Sequence, residues 1–349
     1  MKPKDHLENK PNMRAKSVYE YIKTWDEEKI KKSVSYKFPD FELDKIELQP
    51  STICQLRCPW CYGKNIRSRD YNAVPFEIYK KNVLDCLINK PVIMLGGLYS
   101  EPLLYPDIKK LIKSIGEHEL RFTLITNGIA LDDELIDIIA EASLKNKTDR
   151  PSHISLDISG LLYANLLDEV LPKIEKLSRT FHLLHINTPV LLTKNLLNID
   201  KVKNLQKKLF NAGATNIRYS IPQTPIDPAY KKALEIMNKM KGKNIFRGLS
   251  EKPYSHCFIM TNSLTIAPNG DVYPCSQTAT DCFNHLRIGS ITKQKITDIW
   301  HSKRHKEIFK KLNPQNEICR CNTTEMRFNS LCEKYYDSRL STKHNETRN

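Results

Sequence analysis

Three thiols fall within eight residues in the run Cys54-Gln-Leu-Arg-Cys58-Pro-Trp-Cys61-Tyr62. Thiolates at this C-x3-C-x2-C spacing suit three corners of one Fe4S4 cube. A cube held wholly by protein takes four Cys, so this loop leaves one iron for another ligand. Two other chemistries compete. Structural zinc also uses closely spaced thiolates, but as C-x2-C pairs that add up to four ligands. Disulfides need an oxidising compartment, and the start Met1-Lys-Pro-Lys-Asp-His6 opens no apolar signal segment.

A second set of thiols lies far along the chain. Cys257 is followed by Asn269-Gly270-Asp271, a hairpin turn signal, and then by Val272-Tyr273-Pro274-Cys275. In this C-x12-G-x4-C pattern the turn glycine folds two distant Cys onto one centre. Cys282 follows. Next come an apolar-periodic stretch that predicts a helix over Thr297–Leu312, then Cys319-Arg320-Cys321, and then Cys332. Cys86 sits in an amphipathic stretch and reads as a core residue.

The elements that must position these groups alternate in type. Apolar runs predict strands at Ile46–Leu48, Val92–Leu95, Phe122–Thr126, His153–Asp157, Leu183–Thr188 and Ile217–Ile221. Helical patterns fall between them at Pro75–Asn89, Pro106–His118, Asp132–Ser143, Asn165–Leu177 and Ile199–Ala212. Strands separated by helices of this length predict parallel β/α units. Active groups are then expected at the C-terminal strand ends, where the first Cys loop already falls. Other polar groups follow successive strands: Gly96, Gly97 and Glu101 after the second, Asn127 after the third, and Ser155 and Asp157 at the fourth. Asp157 has a rival role as a helix cap.

The Cys54 loop, with an aromatic directly after its last Cys, resembles the signature of the radical SAM superfamily. The resemblance implies Cys54, Cys58 and Cys61 as ligands of a [4Fe-4S] cluster whose open iron binds S-adenosyl-L-methionine (SAM). It implies reductive cleavage to a 5′-deoxyadenosyl radical that abstracts hydrogen from an unactivated C–H bond, the cofactor doing the hard chemistry. Tyr62, Gly96, Gly97, Glu101, Asn127, Ser155 and Asp157 are then the SAM-side residues. Glu101 is assigned to the SAM ammonium because Gly96-Gly97 and Glu101-Pro102 are similar to the family's Gly-Gly-Glu-Pro segment. Here Leu98-Tyr99-Ser100 intervene.

The later hairpin, helix and terminal Cys resemble the SPASM or twitch auxiliary domain. Six Cys here are fewer than a full SPASM domain carries, and this favours one auxiliary [4Fe-4S] cluster. Cys257 and Cys275 are implied as ligands, with the remainder drawn from Cys319, Cys321 and Cys332. Cys282 is left as the candidate hydrogen donor should the reaction invert a stereocentre.

The expected fold is therefore α/β: a partial (β/α)6 TIM-type barrel with a small C-terminal SPASM/twitch domain holding an auxiliary cluster. The expected organisation is a helical extension over 1–44, including a helix from Ser17 to Ile30, a barrel over 45–228 and a connector over 229–250. The auxiliary domain follows over 251–335 and a tail over 336–349. Hydrophobic residues make up 40% of 349, enough for a large core, and no apolar run reaches the length of a membrane span.

The net charge of +15 raises the possibility of nucleic acid. The basic residues are dispersed without interleaved aromatics, so neither nucleic acid nor membrane is expected as a partner. A zinc protein that binds RNA is the competing class, and Glu101 and Asp157 argue against it. Ten Cys without a secretory signal point to metal in a reducing cytoplasm.

The expected substrate is a sugar or aminocyclitol of a natural-product pathway, dehydrogenated or epimerised. A short peptide is the alternative, and no dedicated leader-binding domain fits the first residues. A reductant such as flavodoxin or ferredoxin is implied.

Overall fold

The computed structural model describes residues 27–34, 43–61, 72–97, 100–148, 151–180, 185–192, 196, 198–220, 236, 254–317, 321 and 323–346. After α1 (Glu27–Val34) come β1 (Lys45–Leu48), α2 (Phe76–Asn82), β2 (Val92–Leu95), α3 (Ile108–Glu117) and β3 (Phe122–Thr126). The chain continues through α4 (Asp133–Lys145), β4 (His153–Leu156), α5 (Ile158–Ala164), α6 (Leu167–Thr180), β5 (His185–Leu191), α7 (Ile199–Asn211) and β6 (Asn216–Ser220). It ends with β7 (Ser263–Ile266), β8 (Asp271–Tyr273), β9 (Gly289–Ser290), α8 (Ile296–Trp300), α9 (Lys303–Lys311) and α10 (Thr323–Glu346).

The nine strands among the described residues form one sheet, ordered β6-β5-β4-β3-β2-β1-β7-β8-β9. The first six pair in parallel, in the β/α pattern expected of a partial barrel. Alternation sorts the two faces. Ile46, Leu48, Ile93, Leu95, Phe122 and Leu124 are fully buried against the helices. Glu47, Met94, Thr123 and His153, matched in register, occupy the other, inner face.

Caps set where the helices begin. Asp132 Oδ1 accepts from Leu135 N at 2.7 Å, and Asn198 Oδ1 accepts from Asp200 N at 2.8 Å, each satisfying an otherwise orphaned donor.

The hairpin β7–β8 does not hang off the barrel. β7 pairs in parallel with β1, Lys45 to Leu48 against Ser263 to Ile266. Gly270, at φ +84, makes the turn between β7 and β8, and β8 pairs antiparallel with β7. The candidate auxiliary region thus extends the barrel sheet at its first strand.

Several expected elements differ in extent. The pattern over Pro75–Asn89 yields α2 and a separate 3-10 turn, Leu84–Cys86, because buried Val83 leaves the helical region at φ −123, ψ −71. Thr297–Leu312 divides into α8 and α9, since Ser302 turns out of the helix and its Oγ accepts from His305 N at 3.1 Å. α5 was not expected. It ends at Asn165 in the left-handed region, which separates it from α6. Of the expected N-terminal helix only Glu27–Ile30 is described, within α1. The tail expected from 336 continues α10. The connector over 229–250 lies outside the described residues apart from Ile236.

Candidate active site

The Cys54 loop leaves β1 and is pinned at its ends: Thr52 N donates to Asn72 O at 3.1 Å, and Asn72 N to Thr52 Oγ1 at 3.0 Å. Within it, Arg57 Nη1 donates to Cys54 O at 2.9 Å and Cys61 N to Cys58 O at 3.1 Å. Cys58 is buried, and Cys54 and Cys61 are half-buried.

α5 forms the floor under this loop. A Cβ on Gly160 would stand 2.8 Å from Leu56 Cδ1 and 3.0 Å from Cys58 Sγ, so only glycine leaves the thiol its place. Trp60 packs edge-on against Tyr163 with ring centroids 5.5 Å apart. Among the described residues no three His, Cys, Asp or Glu side chains are grouped to hold a single metal ion. A cube needs no such point, because each thiolate takes its own iron.

Glu101 sits at the C-terminal end of the sheet and is 3% exposed. A carboxylate offers four lone-pair sites. Oε1 accepts from Leu103 N at 3.2 Å and from Thr126 Oγ1, and Oε2 accepts from Asn127 N at 2.8 Å. One site on Oε2 is left, and no salt-bridging cation stands beside it among the described residues. Burial pushes its pKa up to about 7; the three hydrogen bonds hold it down, and the nearby Asp157 carboxylate adds to the rise. A buried carboxylate with an open lone pair and no counter-ion fits a ligand ammonium.

Asp157 acts as the N-cap of α5, its Oδ1 accepting from Ser159 N at 3.1 Å. Burial raises its pKa, while backbone hydrogen bonds from Gly160 and Ser159 and the charge of Arg218 on β6 lower it. Asn127, 5% exposed, takes the Cys loop's Gln55 on its Oδ1 at 3.3 Å and Ile129 N at 3.0 Å. Ser155 is buried on the inner face of β4. Gly96 follows β2, its N donating to Leu48 O at 3.1 Å, with Gly97 next. The structure therefore brings Cys58, Glu101, Asn127 and Asp157 to one end of the sheet. Tyr62 lies outside the described residues.

A second thiol site lies beyond β7. Cys257, Cys275 and Cys321 line one cavity together with Pro274, Thr278 and Glu325. Tyr254 is fully buried, and its hydroxyl has no well-formed hydrogen bond. Burial raises its pKa, and the adjacent Cys321 and Cys257 raise it further, so the O–H keeps its proton beside the sulfurs. Three thiols lining one cavity, with the protonated Tyr254 hydroxyl beside Cys321, fit an iron–sulfur cluster, whose sulfurs accept hydrogen bonds.

Cys332 is fully buried on α10 but is not part of that lining. Cys282 is exposed on the 3-10 helix Asp281–Leu286. Cys319 lies outside the described residues. Glu325 and Tyr254 were not expected, since no spacing marks them; their only sequence sign is closeness to Cys321 and Cys257.

Residues 48–161 match the family model of the radical SAM superfamily, and residues 257–322 match that of the SPASM iron–sulfur cluster-binding domain. The chain is 24% identical over 310 residues to an AdoMet-dependent heme synthase of Methanosarcina barkeri (strain Fusaro / DSM 804), covering 76% of this chain and 83% of that protein. Its fold is similar to Streptococcus suis SuiB bound to S-adenosylmethionine, with TM-score 0.56 and 15% identity over 82% of this chain and 72% of SuiB. It is also similar to anSMEcpe with bound AdoMet, with TM-score 0.53 and 15% identity over 76% of this chain and 82% of that one.

Proposed function

Because the chain belongs to the radical SAM superfamily and carries a C-terminal SPASM domain, we propose that it dehydrogenates a small polar substrate seated on the inner face of the barrel. One observation carries this reading. The inner face is polar at Glu47, Thr123 and Ser155, and it runs from the Cys54 loop end of the sheet to β7, beyond which Cys257, Cys275 and Cys321 share a cavity. A site flanked by two thiol centres suits an oxidation, which needs a radical on one side and an electron acceptor on the other.

When bound, SAM and the iron–sulfur clusters supply the 5′-deoxyadenosyl radical and the one-electron acceptor. The chain's own residues hold and orient. Cys54, Cys58 and Cys61 take three irons of the first cluster. Glu101 receives the SAM ammonium on its open lone pair, and Gly96 and Gly97 bound the same pocket. Asn127, Ser155 and Asp157 face the ribose side. Cys257, Cys275 and Cys321 hold the auxiliary cluster, and Cys319 rather than Cys332 supplies the fourth ligand, because Cys332 is buried outside the cavity lining. In this reading the auxiliary domain spans 251–335, joined to the barrel of 45–228 through β7. Dehydrogenation is preferred over inversion because the proposed donor for inversion, Cys282, is exposed on a surface turn. Flavodoxin or ferredoxin in a reducing cytoplasm supplies the electrons.

The test is product analysis after anaerobic reconstitution. With dithionite and SAM, the protein should release 5′-deoxyadenosine, faster in the presence of amino sugars or aminocyclitols, and the product should be two hydrogens lighter. A product of unchanged mass with solvent deuterium at one carbon would show inversion instead. SuiB has been crystallised with its precursor peptide SuiA, so short peptides form the comparison arm. Stimulation by peptides alone would move the substrate class.

A further inference from the structure

The inner face carries a buried acceptor patch between the barrel and the auxiliary cavity. Glu47 of β1 is 5% exposed, and Gln49 is fully buried two residues on, with Gln49 Nε2 donating to Glu47 Oε1 at 3.4 Å. The carbonyl end of that same amide, Gln49 Oε1, is buried with no hydrogen-bond partner. Directly across the β1–β7 ladder from Glu47 stands Thr265, fully buried, whose Oγ1 also lacks a partner.

Burial raises the Glu47 pKa. Lys45 and hydrogen bonds from Gln49 and the Ser276 side chain oppose the rise, and Glu325 adds to it. Lys45 Nζ lies 3.9 Å from Glu325 Oε1. Among the described residues the patch holds the carboxylates of Glu47 and Glu325 and the ammonium of Lys45. Ser276 follows Cys275, and Glu325 lines the auxiliary cavity, so the patch adjoins that cavity.

Buried polar atoms left without partners are costly, and here they share one sheet face with a carboxylate. A primary ammonium has three N–H donors and no acceptor. We infer that Glu47, Gln49 Oε1 and Thr265 Oγ1 together receive a primary ammonium group of the substrate. This rests on the proposal that the inner face is the substrate site, and narrows the substrate class to amines. The amine belongs to a small amino sugar or aminocyclitol, or to a lysine side chain of a short peptide. Both present the same R–NH3+ group.

The test uses the reconstituted full chain with dithionite and SAM, reading the probe concentration that half-saturates stimulation of 5′-deoxyadenosine formation. Glucosamine is set against glucose, and a short peptide with one lysine against the same peptide with norleucine. In at least one pair the amine should half-saturate at a concentration lower by roughly tenfold or more, as one charge-assisted contact predicts. The pair that responds identifies the source of the amine.

Glu47→Gln and Thr265→Val should each erase that gap. Thr265→Val removes an orphaned buried hydroxyl, so its melting temperature should not fall. Its loss of discrimination then cannot be ascribed to misfolding. Equal responses within both pairs, absent responses included, overturn the ammonium site, as does a gap that survives both substitutions. If wild-type protein releases no 5′-deoxyadenosine with or without probes, the parent reading falls and this one falls with it.

Discussion

Glu101 N donates to Ile53 O at 2.7 Å, which ties the strand-end carboxylate to the residue just before Cys54. This bond joins the segment proposed to hold the SAM ammonium to the loop proposed to hold the first cluster. Glu101 also bonds Thr126 and Asn127 at the end of β3. Its backbone and side chain therefore serve two different strand ends.

The raised Glu101 pKa gives SAM binding a pH dependence. An ammonium favours the ionised carboxylate, and free Glu101 holds its proton up to about pH 7. Affinity for SAM should therefore rise as pH climbs through about 7, with proton release below it. Isothermal titration in buffers of different ionisation enthalpy measures both. Glu101→Gln should remove the pH dependence and weaken binding by roughly 1.5–3 kcal/mol. A variant that binds SAM as tightly as wild type would place the ammonium elsewhere.

The same shift has the opposite sign for the protein without ligand. A carboxyl whose folded pKa lies above its ordinary 4.5 binds more protons folded than unfolded. Its contribution to stability is present at low pH and declines as pH rises from about 4.5 through about 7. Ligand-free Glu101→Gln should then out-melt wild type at pH 8 and lose that margin near pH 5.

Gly160 tests the floor of the Cys loop. An added methyl would press on Leu56 Cδ1 at 2.8 Å and Cys58 Sγ at 3.0 Å. Gly160→Ala should cut iron retained by the first site while sparing the auxiliary site, moving the total from about eight irons per chain towards about four. Iron analysis beside EPR of the reduced protein separates the two sites.

The auxiliary thiols should divide by position. Cys275→Ala, which opens the cavity wall, should lose auxiliary iron. Cys332 is buried outside that lining, so Cys332→Ala should keep the iron and lower the melting temperature by a few degrees, as roughly 1 kcal/mol of lost packing implies. Iron loss in Cys332→Ala would instead make it the fourth ligand.

Much of this architecture was legible because local patterns carried it. The strands Val92–Leu95 and Phe122–Thr126 run as their apolar patterns predict, and the three thiols of the first loop follow β1 directly. The breaks were harder to see. Val83 and Ser302 interrupt helical patterns through tertiary contacts and a cap, and no periodicity announces these. The pairing of β7 with β1 joins residues more than two hundred positions apart, a contact with no local sign. The sequence admits Asp157 as either a ribose ligand or a cap. In the structure it caps α5 and still lies close enough to Glu101 to raise its pKa. The acceptor patch at Glu47 and Thr265 depends on that long-range pairing, so sequence reading passed over it.

The most direct test of the central claim is SAM cleavage by wild-type protein and by Cys58→Ala, each reconstituted with iron and sulfide without oxygen and reduced with dithionite. Wild type should release 5′-deoxyadenosine. Cys58→Ala should release none while keeping the iron of the auxiliary site. Equal 5′-deoxyadenosine from both proteins, or one zinc and no iron in the wild type, would contradict the account.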